Sequence, residues 1–197
     1  ALPILEAVAF LSDGDPMVVA EAARSIHDDE SIPGALPPLA KLLERGENLE
    51  EAAVRRALSA AIRLRKPEFA GLVANYAAND SHPEELRSRA LELLNQWCKP
   101  PRLGSVEGRY RPLPPVAPHE IRPAVRASLE KLTASSKKGI ADRARRAAAV
   151  YGIGTDPKKL LATIMKDRPE AADALRLLAT GDEPSYAGAA EMALRSE

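Results

Sequence analysis

Apolar residues recur three and four positions apart along most of the chain. Leu5, Val8 and Ala9 show this spacing, as do Val18, Ala22, Ala23 and Ile26, and then Leu36, Leu39, Leu42 and Leu43. Such spacing lines one face of a helix. It predicts helices over 3–11, 16–28, 35–45, 50–64, 67–78 and 83–98. Five more are expected over 120–134, 140–151, 156–167, 169–179 and 184–195, about eleven in all. Pro and Gly punctuate the series. Asp15 is placed as an N-cap with Pro16 at the first helical position, where a missing N–H costs nothing. Pro33-Gly34, Gly152 and Gly154 mark breaks, and Pro157, Pro169 and Pro184 mark starts.

The segment 99–118 differs. It holds six of the 17 prolines, which block helix and favour an extended or turn-rich path. It also contains Leu103, Val106, Tyr110, Leu113 and Val116. This apolar content predicts an ordered insertion, with Tyr110 and Leu113 packed on the helical surface. Composition supports an all-α chain: 36 Ala and 25 Leu stand against 21 Val, Ile and Thr combined. That balance excludes a sandwich, a barrel or a doubly wound sheet. Aromatics make up only 4%, so the core must close through Ala, Leu, Ile and Val.

The helices carry a repeat. Val18-Val19 followed by Ala22-Ala23 and Ile26 opens it. Val54-Arg55-Arg56-Ala57-Leu58-Ser59-Ala60-Ala61-Ile62 and Leu86-Arg87-Ser88-Arg89-Ala90-Leu91 follow, with starts at 18, 54 and 86, spacings of 36 and 32. Ala144-Arg145-Arg146-Ala147-Ala148-Ala149 is a weaker copy. Small residues one turn on let paired helices approach closely. The Asp-Pro-x-Val opening and these helices resemble HEAT repeats of the shorter bacterial kind. The resemblance covers 1–98 and, more loosely, 137–197. It implies an α-α superhelix in which each repeat contacts its neighbours; an irregular helical domain is the competing arrangement. The chain then divides into HEAT-like repeats over 1–98, the insertion over 99–118, and further repeats of the same solenoid over 119–197.

A narrower resemblance lies at Leu94-Asn95-Gln96-Trp97-Cys98-Lys99-Pro100-Pro101-Arg102 and at Val106-Glu107-Gly108-Arg109-Tyr110-Arg111-Pro112-Leu113. These are similar to a segment of large bacterial proteins of the membrane-bound dehydrogenase or haem-binding type. The resemblance implies a parent in which a sugar-dehydrogenase-like propeller precedes HEAT repeats and a c-type cytochrome domain follows them. This chain has no Cys-x-x-Cys-His, so no c-type haem is expected on it, and no catalytic residue is transferred. An extracytoplasmic, periplasmic setting is implied with that parent, and a cytoplasmic one without it. The chain opens on Ala1-Leu2-Pro3 inside an apolar pattern, as expected of a piece of a longer protein. A preceding repeat or domain is then expected to cover part of Leu2, Ile4, Leu5, Val8, Phe10 and Leu11.

Charge is neutral overall, with 28 basic and 28 acidic side chains, but unevenly placed. Residues 1–98 carry −6, residues 99–146 carry +8 and residues 147–197 carry −2. The basic band is either a docking surface for an acidic partner or is compensated inside the molecule. The lone Cys98 forms no intrachain disulfide and is read as a half-buried structural residue. His27, His82 and His119 are scattered and read as helix caps or solvated groups. Catalytic, cofactor-binding and metal-ligating sets are therefore expected to be absent, and no cofactor is expected. No stretch is long and apolar enough to span a membrane. Arg55, Arg87 and Arg145 recur at one repeat position. They read as an internal ladder onto acidic groups or helix-end carbonyls, the alternative being an exposed basic row. Arg102, Arg109 and Arg111 cluster beside Tyr110 in the insertion. They form the candidate interaction surface, or else pin the insertion onto the acidic 1–98 arm.

The expected function is a non-catalytic scaffold or protein-interaction module within a larger redox-type protein. Its partners are neighbouring domains of the parent chain or another protein, with no small-molecule substrate. The alternative is a HEAT-like nucleic-acid-binding module of the DNA-repair glycosylase type. Uneven charge and few aromatics count against it, because base binding needs stacking rings on a broad basic surface.

Overall fold

Alternating alanine-rich faces and proline breaks give a chain of short helices. The computed structural model describes residues 2–29, 31–45 and 49–154. Among them are eight α-helices: α1 (Leu2–Ala9), α2 (Pro16–Asp28), α3 (Leu36–Ala40), α4 (Glu51–Leu64), α5 (Pro67–Ala78), α6 (Glu84–Gln96), α7 (Pro118–Thr133) and α8 (Lys138–Val150). The helices expected over 156–167, 169–179 and 184–195 lie outside the described residues. No β-strand is present among the described residues, where the only pairing is one isolated bridge.

Two elements differ from expectation. The helix expected over 35–45 is fragmented into 3-10 turns at Pro33–Ala35 and Lys41–Glu44 around the five-residue α3. Pro37 and Pro38 sit in the first turn of α3, where a missing N–H is tolerated. The seventh helix starts earlier than expected, because Pro118 takes the first helical position and belongs to α7. Asp15 does cap α2, accepting from the Met17 N–H at 2.9 Å.

The packing has a regular order. α2, α4, α6 and α8 lie against one another in sequence. The Lys41–Glu44 turn packs on α5, and α5 on α7. Cross-contacts join α3 to α4, α4 to α5, α5 to α6 and α7 to α8. Two rows of helices thus share one apolar seam. Ala23, Ala57, Ala60, Ala61, Ala74, Ala77, Ala90 and Ala144 are fully buried in it, with Leu39, Leu91, Leu94 and Trp97 as its bulk. α5 and α7 approach closely at Gly71 in α5. A Cβ there would lie 3.3 Å from the Ala124 carbonyl oxygen of α7.

Cations recur at helix ends. Arg45 donates to the Leu11 carbonyl (2.6 Å), Arg63 to His27 (2.8 Å) and Arg87 to Ala77 (2.8 Å). Lys131 donates to the Ala78 carbonyl at 3.3 Å. Each satisfies a carbonyl that a finished helix leaves without a partner, at the negative end of its dipole.

The insertion forms a closed loop. Its ends are tied by Val116 N–H donating to the Cys98 carbonyl (3.1 Å), beside the fully buried Trp97. In its middle Leu103 and Tyr110 form an antiparallel bridge. Gly104 N–H donates to the Arg109 carbonyl (2.8 Å) and Arg111 N–H to the Arg102 carbonyl (2.7 Å). Gly108 takes a left-handed φ of 68° in the turn, a conformation that costs glycine nothing. Leu113 and Val116 pack on the core as expected. Tyr110 does not: it is 67% exposed, because bridge geometry turns its ring away from the helices.

Candidate functional site

The insertion meets the helices at a buried polar junction. His27, near the end of α2, is completely buried, which corrects its reading as a cap or solvated group. A carboxylate can only accept, so Nδ1 donates to Asp28 Oδ1 at 2.8 Å. In the neutral ring Nε2 then accepts from the Ser59 hydroxyl of α4, also at 2.8 Å. Glu107 comes down from the insertion, its Oε2 3.7 Å from Nε2 and its Oε1 2.8 Å from Arg111. Arg56 approaches Asp28 Oδ2 at 3.7 Å, and Arg109 reaches the Asp28 carbonyl at 3.4 Å.

Electrostatics at the junction follow from burial. Loss of water pushes the His27 pKa below the ordinary histidine value. The Asp28 bond and the Glu107 charge oppose that shift without overcoming it. Burial works to raise Asp28, but the hydrogen bond from His27 and the charge of Arg56 outweigh it and hold Asp28 low. The ring is therefore neutral and the carboxylate charged near neutral pH. A cavity of about 30 Å³, roughly one water, lies beside Ser59, Arg63, Gln96, Gly104 and Arg111. A larger groove of about 170 Å³ runs between α4 and α6 past Arg55, Arg89 and Glu92 to Ser105.

The four residues singled out on the insertion share one hairpin but not one role. Arg111 is turned inward onto Glu107, and Arg109 reaches the α2 end. Arg102 and Tyr110 are exposed. The repeat arginines are not equivalent in space. Arg87 is buried, bonded to Ala77 and paired with Asp80 at 2.6 Å. Arg55 lies at the surface on Glu51 (3.4 Å), and Arg145 is held by Asp142 (2.5 Å) and the Thr133 carbonyl (3.4 Å). Of the other histidines, His82 is also buried, stacked on Tyr76 with centroids 4.0 Å apart. Cys98 is buried. Among the described residues no three His, Cys, Asp or Glu side chains converge as metal ligands would. None of their helices is long and apolar enough to cross a membrane.

Sequence reasoning missed Asp28, Ser59 and Glu107. The one available signal was Ser59 itself, a hydroxyl on the inward face of an alanine-rich helix, 32 residues from His27. Comparison with protein-family models, with curated proteins and with solved structures gives no match.

Proposed function

We propose that the chain is a HEAT-like α-solenoid acting as a non-catalytic scaffold between domains of a larger redox-type protein, of the membrane-bound dehydrogenase and cytochrome kind. The observation that supports it is the packing order. α2, α4, α6 and α8 pack in succession and α5 packs on α7, with cross-contacts between most sequence neighbours, as stacked helix pairs do. The resemblance of the 94–113 segment supplies the parent.

Among the described residues, the constellation with catalytic connectivity fits a structural role better. Ser59, His27 and Asp28 are linked in the order of a hydrolytic triad. Ser59, however, is only 4% exposed, in mid-helix, and the insertion lies over it. A substrate carbonyl needs access to the hydroxyl and donors for its oxyanion. A fluorophosphonate probe should leave Ser59 unlabelled in the native protein.

Two experiments test the scaffold. A fragment of residues 1–98 should keep a helical spectrum and a cooperative melt, because stacked repeats depend mainly on neighbours. Complete loss of helix would count against stacking. Deleting the chain from its parent should uncouple electron transfer between the flanking domains while each keeps its own activity. Unchanged coupling would refute the scaffold role.

A further inference from the structure

We infer that the outer face of the 102–111 hairpin, centred on Leu103 and Tyr110, docks an acidic protein surface, one with an apolar depression rimmed by carboxylates. The inference deepens the scaffold reading by naming the chemistry of the partner. It rests first on the handedness of the hairpin. The bonds flanking the Leu103–Tyr110 bridge run from Gly104 to Arg109 and from Arg111 to Arg102. Leu103 and Tyr110 are therefore the pair without mutual hydrogen bonds, whose side chains stand closest and on one face. Alternation sends the neighbouring residues to the other face. There Arg111 meets Glu107, and Arg109 meets the Asp28 carbonyl.

The hairpin is thus inverted. Its polar face is turned into the protein and its apolar pair is turned out, with Leu103 57% and Tyr110 67% exposed. Folding alone favours the opposite arrangement. Tyr110 and Leu103 stand exposed on the outer face, Arg102 and Arg109 are exposed as well, and Tyr and Arg are enriched in interfaces.

The face is also rigid before any partner arrives. The Glu107 carboxylate is withdrawn between Arg111 and His27. It lies against Gly104 so closely that a Cβ there would be 2.9 Å from Oε1. A preformed surface loses little freedom on binding. The only acid of the segment 99–111 is used in this clamp, whereas Lys99, Arg102 and Arg109 remain exposed. The field around the apolar pair is therefore positive and complements carboxylates. Two apolar side chains are too few to anchor in a bilayer. Nucleic acid would call for successive stacking rings, and Tyr110 is the sole aromatic on the hairpin.

The test uses the full chain and a fluorescein-labelled synthetic peptide of glutamates around a central Leu-Phe. Its lysine counterpart, phosphatidylglycerol vesicles and a single-stranded oligonucleotide serve as competing probes. The glutamate peptide should bind saturably and more weakly as salt rises. Tyr110→Ser and Leu103→Ser should each weaken it about tenfold or more. Arg102→Glu should weaken it too. Phe10→Ser, at an exposed side chain elsewhere, should not. All four side chains are exposed, so each variant should melt like the parent chain. Absence of binding at millimolar peptide, indifference to Tyr110→Ser, or tighter binding of the lysine peptide, vesicles or oligonucleotide would overturn the inference. The assay does not depend on helix stacking or on the parent, so it can fail while the scaffold stands, and the reverse.

Discussion

His27 is a neutral, buried ring held between a donor and an acceptor, and that has a consequence for pH. Its folded pKa lies below the value near 6.5 of an ordinary histidine. As pH falls, the unfolded chain takes up the proton first. The stability associated with the neutral ring is thus complete above about pH 6.5 and declines as pH drops below it. Asp28 acts in the same direction at lower pH, since its folded pKa is also depressed. Thermal melts should therefore show a falling midpoint from about pH 7 to about pH 5. His27→Gln, which does not titrate, should flatten the upper part of that slope. An unchanged slope would show that His27 is not its source. A second single residue carries backbone strain. Arg65 ends α4 at φ 59° and ψ 11°, a left-handed position that favours glycine. Its guanidinium stands over Trp97 at 5.9 Å. Arg65→Gly relieves about 1 kcal/mol of strain while losing about as much ring contact. Arg65→Ala loses the contact and keeps the strain. Chemical denaturation should rank Arg65→Ala below both the native chain and Arg65→Gly.

At the scale of elements, helix faces were legible in the sequence because alanine and leucine spacing reports burial directly. A recurrence of buried positions was legible too, but its register was not. Burial aligns Val19, Val54 and Arg87, each followed by buried residues three, four and seven positions on. Spacings of 35 and 33 replace the 36 and 32 read from the apolar starts. The pattern misled because an arginine occupies an interior position in α6, where counting apolar residues selects Leu86. Arg87 is tolerated there because its charge is led outward. Its Nε donates to the Ala77 carbonyl, and its Nη2 meets Asp80, which is itself exposed. Arg87→Ala should cost about 2–4 kcal/mol, combining an unsatisfied helix-end carbonyl with a void. Lysine, a single point donor, should recover little of it. A loss under about 0.5 kcal/mol by urea unfolding would mean that the buried guanidinium is incidental.

Across the whole molecule, the charge asymmetry read from the sequence is met in part by pairing between its acidic and basic stretches. Part of the basic band is compensated within the fold, as in Lys137 with Glu84 (3.3 Å) and Arg143 with Glu92 (3.4 Å). These pairs are exposed and contribute little to stability. The junction under the insertion was not legible, because its groups come from α2, α4 and the loop, and no local motif spans that distance. Yet it decides whether the hairpin is a fixed surface or a loose strap. On the loop side its centre is Glu107, which pairs with Arg111 and stands 3.7 Å from the buried His27 across the seam between loop and helices. The two helix rows do not need this contact, since their own apolar seam is continuous without it. Removing the carboxylate should therefore release the hairpin locally and leave the rows folded. In Glu107→Ala, amide exchange should quicken over residues 102–111, and trypsin should cut after Arg102 and Arg109. The helical melt should shift by only about 1–2 kcal/mol. Unchanged exchange and proteolysis would mean that the proline backbone alone fixes the hairpin. A collapse of the whole melt would mean that loop and helices are one cooperative unit.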